Sequence, residues 1–151
     1  GPLRSGPTKI TSGTNVQKDM ANLGYVVLSQ AVGVTQAATT ATTIIIPANS
    51  RILSIKLYVT TIWNGVGSTA GLGFDDGTVI TPAALTTAAG VAGGALGIIS
   101  ATPGADQTRV QNWDNTGTTA KRIRLLSANT GTGVGTLVVD YVQAVHATVQ
   151  A

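Results

Sequence analysis

The chain contains no cysteine, which excludes disulfides, thiolate metal sites and thiol catalysis together. The same absence fits folding in a reducing cytoplasm. Glutamate is missing too: all six acidic residues are aspartates. His146 is the single histidine. A zinc site would need that imidazole plus aspartates alone, an improbable donor set, so no metal or other cofactor is expected. Charged residues are scarce, at 10% against 43% hydrophobic. Disordered chains show the opposite balance, so most of this one folds. No apolar run reaches the roughly 18 residues a membrane-spanning helix needs.

What is present is Ala and Val interleaved with Thr and 19 glycines, the mixture of a small, tightly turned β protein. At 151 residues the chain suffices for one domain. The net charge is +3, from nine basic and six acidic residues. The stretch Gly1–Asn22 holds Arg4, Lys9, Lys18 and Asp19, three positive groups against one negative. Six basic and five acidic residues are left for positions 23–151, so the body is nearly neutral. That balance carries no nucleic-acid footprint. Gly1–Asn22 reads as an extended arm, either a free terminus or a segment that docks on a neighbouring subunit. Its first residues fit a myristoylation pattern poorly, because Pro2 directly follows Gly1.

Ile44–Thr61 is the longest strand-forming stretch. From Arg51 it alternates, which places Leu53, Ile55, Leu57 and Val59 on one face and Ser54, Lys56, Tyr58 and Thr60 on the other. Pro47 belongs at a strand end, with Ala48-Asn49-Ser50 as a turn. Leu23–Gln36 reads as two short strands, or one bent at Gly33, with a helical turn ahead of it around Val16 and Met20. Ala37–Thr43 reads as a connector. Asn64-Gly65 predicts a hairpin returning through Ala70–Phe74, and Asp75-Asp76-Gly77 a second turn. Thr81 as cap, Pro82 and Gly90 predict a helix over Pro82–Ala89. Val91–Gly97 reads as a linker, and Leu96–Ser100 and Thr108–Trp113 as strands. Ala120–Leu126 and Thr136–Val145 read as a terminal hairpin around the loop Ser127–Gly135. Matching their apolar faces sets Ile123 opposite Val139, Leu125 opposite Leu137, and Arg122 opposite Asp140.

Chemistry-bearing residues are few. Asp75 and Asp76 are adjacent, so on a strand they would face apart; a turn is the better reading. Asp106 and Asp114 read as solvated. A triad from His146 with Asp114 or Asp140 lacks a Gly-x-Ser-x-Gly elbow. Gly131-x-Gly133-x-Gly135 precedes a strand rather than a helix, which suits a hairpin loop and not a phosphate cradle. Lys121, Arg122 and Arg124 form one basic cluster without interleaved aromatics. Trp63 and Trp113 are sugar-stacking candidates only if an indole face lies open in a groove; core or interface is the plainer role.

Three stretches together carry a likeness: IIIPANSRILSIKLYVTTIWN (Ile44–Asn64), GTGVGTLVVDYVQ (Gly131–Gln143) and SGPTKITSGTNVQKDMANLGYVVLSQ (Ser5–Gln30). The chain resembles the head-decoration, or cement, proteins of tailed bacteriophages. The resemblance implies an all-β sandwich or jelly roll, here with one short helix, over residues 23–151 and an arm over 1–22. It implies a homotrimer bound to the major capsid protein on the outer surface of the head, with no catalysis, nucleic acid or membrane. Thr81–Gly97 departs from the pattern. Contact candidates are Arg4, Lys9, Lys18, Arg122, Arg124, Trp63 and Trp113. The alternatives are another virion β module, such as a head fibre or tail part, or a carbohydrate-binding jelly roll; an enzyme is the weakest reading.

Overall fold

The computed structural model describes residues 25–65, 67–143 and 145. The arm, the Val16–Met20 turn and His146 lie outside the described residues. The strands are β1 (Leu28–Thr35), β2 (Thr40–Ile46), β3 (Arg51–Thr61), β4 (Thr69–Asp75), β5 (Ile80–Thr81), β6 (Val91–Ala92), β7 (Gly97–Ser100), β8 (Lys121–Leu126) and β9 (Val134–Val142). A helix, α1 (Gln107–Asp114), stands between β7 and β8. One sheet has the order β1-β9-β3-β7; the other runs β2-β8-β4-β5, with β6 also on β4. Every strand pair is antiparallel. The fold is an all-β sandwich.

Alternation builds the core. β3 buries Ile52, Ile55, Leu57 and Val59, and β9 buries Leu137, Val139 and Tyr141. From the other sheet come Ile44 and Ile46 of β2, Leu72 and Phe74 of β4, and Ile123 and Leu125 of β8. Each such side chain contributes about 1.5–3 kcal/mol of burial. Leu53 departs from the expected pattern: it is 47% exposed and Ile52 is buried in its place. A bulge between Ile52 and Ser54 flips the register at that point.

The chain crosses between layers at most turns, and this overturns both predicted hairpins. β3 and β4 lie in different sheets, so Asn64-Gly65 starts a crossover. β8 and β9 also lie in different sheets. Ile123, Leu125, Leu137 and Val139 do belong to one core, but from opposite layers rather than side by side. The partners of β9 are β1 and β3, and those of β8 are β2 and β4. Arg122 therefore stands opposite Ile45 and Asp75, and Asp140 opposite Ser29 and Ser54. Sheets stack about 10 Å apart, and loops of this length span that gap.

Other elements are also reassigned. β1 is continuous through Gly33, its register with β9 unbroken from Leu28 to Thr35. The Ala37–Thr43 connector is largely β2, and the Val91–Gly97 linker contains β6. Pro82–Ala89 is not helical. It winds along β4, with Leu85 and Thr86 N–H groups donating to the Leu72 carbonyl. The expected strand Thr108–Trp113 is instead α1. Asp106 caps it, accepting the Arg109 N–H at 2.9 Å. Arg109, Asn112 and Trp113 then donate side-chain bonds to the carbonyls of Ala83, Ala84 and Leu85. Helix and irregular loop thus satisfy each other. The Asp75-Asp76-Gly77 turn stands as expected, joining β4 to β5.

Candidate functional site

The carboxylates do structural work. Asp76 Oδ1 accepts the N–H groups of Val79 at 2.8 Å and Thr78 at 2.9 Å. These bonds, Val79 first, hold its carboxyl below the usual aspartate value. Asp75 Oδ1 accepts the N–H of Gly77, whose φ of 90° suits glycine. Asp106, expected to be solvated, caps α1. Asp114, also expected to be solvated, pairs with Arg51 at 2.9 Å. Asp140 Oδ2 accepts the Ser54 hydroxyl. Among the described residues, no three His, Cys, Asp or Glu side chains gather as a metal-binding group.

The glycine loop is occupied from within. Gln36 is fully buried. Its Oε1 accepts the N–H of Asn64 at 2.9 Å and of Gly133 at 3.1 Å. Its Nε2 donates to the carbonyls of Asn64 and Gly67. Thr132 N–H goes to Asn64 Oδ1. The Thr132 and Gly133 amides are thus already bound, and Gln36 clamps three turns together. Nothing in the sequence distinguishes Gln36 from a surface glutamine; only its contacts reveal it.

Trp63 is 1% exposed, packed between Gly93 and Gly133. It is a core residue and presents no indole face to a ligand. Trp113 is half-buried, its Nε1 fixed to the Leu85 carbonyl at 2.8 Å. The basic cluster divides. Lys121 Nζ sits 5.9 Å from the Phe74 ring centroid and donates to Thr119. Half-buried Arg122 donates to the Thr42 carbonyl at 2.6 Å. Arg124, also half-buried, stands opposite Ala41 and Gly73. The ladder sets Ile45, Arg122, Asp75 and Ile80 in one row across the outer face of this sheet. Ile45 and Ile80 are 42% and 50% exposed. A depression of about 190 Å³ lies there, lined by Ile45, Asp75, Asp76, Gly77, Ala120 and Arg122. The row is mixed in charge and edged with exposed isoleucine. It has no general base beside a nucleophile.

No family model matches the chain, and no curated protein does. Solved structures do. A chain in the capsid of Ralstonia phage GP4 matches with a TM-score of 0.53 at 15% identity, over 95% of this chain and 93% of that one. A chain in the acidic stable capsid structure of Helicobacter pylori bacteriophage KHP30 scores 0.47 at 15% identity, covering 78% and 87%. One in the capsid asymmetric unit of cyanophage Pam1 scores 0.45 at 21% identity, covering 79% and 86%. At these identities the likeness is one of fold.

Proposed function

We propose that this chain is a structural protein of a bacteriophage particle, bound as a homotrimer to the outer surface of the head, which it stabilises. One observation carries the reading: the sandwich matches a chain of the Ralstonia phage GP4 capsid almost end to end. The side-chain inventory agrees, since the aspartates and the glycine loop serve turns, caps and clamps. The mechanism is avidity. Each copy covers a modest area of shell, and linking three raises the effective affinity without new contacts. Arg122 and Arg124 on the outer face of the second sheet are the contact candidates within the sandwich. Arg4, Lys9 and Lys18 are the candidates in the arm.

The test uses heads purified from a phage lacking this gene product. Purified protein added back should co-sediment with them at a saturating ratio and raise the temperature at which they release DNA. Binding to tails and not heads, or no binding at all, would overturn the reading.

A further inference from the structure

β1 and β7 are the two opposite edges of one sheet. Their backbones are left in complementary states. Among the described residues, β7 pairs only with β3. Ile98 is 57% exposed and stands opposite Tyr58, itself 37% exposed, and Leu96, in the bend just before the strand, is 62% exposed. Proteins normally blunt such an edge with charge, proline, a bulge or a cover. The segment Leu96–Ser100 carries no charge and no proline. Elsewhere this chain does plug an edge: the Gln30 amide donates to the Ile45 carbonyl and accepts its N–H, closing β2.

At the other edge, Tyr25, Val26 and Val27 are 60%, 53% and 55% exposed. The β1–β9 ladder begins only at Leu28. Among the described residues, no backbone bond is made by positions 25–27. Tyr and Val favour strands, and alternation places Tyr25 and Val27 on one face.

We infer that Tyr25–Val27 of one protomer adds as a strand to the free edge of β7 in a second copy of this chain. Main-chain hydrogen bonds would supply the affinity, and the alternate side chains would pack beside Leu96, Ile98 and Tyr58. The contact joins two different patches, so it is head-to-tail and forms a ring where the rotation closes. It deepens the self-association proposed above and does not depend on head binding.

The absence of native cysteine makes the test clean. The full chain carrying both Val27→Cys and Ile98→Cys, which the proposed pairing sets on one face, mildly oxidised, should run as covalent dimers and larger rings on a non-reducing gel. Either substitution alone should leave monomers. Linking by Ile98→Cys alone would mean a twofold edge contact and overturn the proposal, as would no linking in the double variant. Val26→Pro and Ile98→Lys, both at exposed positions, should each shift the sedimenting mass to that of a monomer with the β circular-dichroism spectrum kept. An unchanged oligomer in both variants, or a monomeric parent chain, would also overturn it. A parent chain that self-associates but ignores heads would sink the capsid reading and leave this contact standing.

Discussion

Gln36 shows how one buried amide can replace a stretch of ladder. It joins the turn after β1 to two other layer-crossing loops, those after β3 and after β8, through Asn64, Gly67 and Gly133. Gln36→Leu leaves the buried Gly133 N–H without an acceptor, a loss of about 1–3 kcal/mol. Chemical denaturation should show it as a lower midpoint at unchanged slope. Gln36→Glu keeps the shape but sets an oxygen against the Asn64 and Gly67 carbonyls. The fold then favours the protonated acid, raising its pKa above the unfolded value of about 4.3. Stability is full below the unfolded value and is lost as pH rises from it through the raised folded value. Melting curves should therefore show the deficit against the parent widest at pH 7 and narrowing toward pH 4. Gly133 tests packing in the same way. An added Cβ there would clash with the Trp63 ring and its Cα, whereas one at Gly33 meets nothing within 4 Å. Gly133→Ala should cost about 1–3 kcal/mol, and Gly33→Ala should lie near neutral or slightly stabilise.

At the scale of elements, α1 depends on its cap and its three bonds to residues 83–85. Asp106→Ala should lower stability by ~1 kcal/mol, measured by denaturation. The β4–β5 turn should respond to acid. Asp76 has a depressed pKa in the fold, held first by Val79 and then by Thr78. Its contribution is present above the ordinary value of 3.8 and is lost as pH falls through the lowered one. Amide exchange at Val79 and Thr78 should accelerate over that acidic range, and Asp76→Asn should flatten the dependence. These elements differ in how readable they were. Asp-Asp-Gly specifies its turn through contacts within five residues. Gln107–Asp114 has no buried residue and no apolar stripe, so its pattern could not declare a helix.

For the whole molecule, the proposed trimer and its arm make separable demands. The parent chain should sediment as a trimer at micromolar concentration. Residues 1–22 can reach up to ~70 Å if extended, long enough to cross onto another subunit. If Arg4, Lys9 and Lys18 make the proposed contact, their positive charge would make it salt-sensitive, since charges are screened over about 8 Å at physiological ionic strength. Deleting Gly1–Asn22 should weaken head binding and flatten its salt dependence. Unchanged binding across salt would show the arm dispensable.

The residue order alone determined the β class, the approximate extent of β3, β4, β8 and β9 and, Leu53 apart, the inward faces of β3, β8 and β9, because a period of two and turn chemistry are local properties. It also determined what the chain cannot do through thiols, which follows from composition. Which strands pair was decided only by the tertiary structure. Ile123 and Leu125 match Leu137 and Val139 equally well as neighbours in one sheet or as facing layers of a core. The loop at 127–133, clamped by Gln36 and crossing the sandwich, selects the second arrangement. The same applies to Trp63, whose burial depends on Gly93 and Gly133 arriving from distant parts of the chain to leave room for its ring.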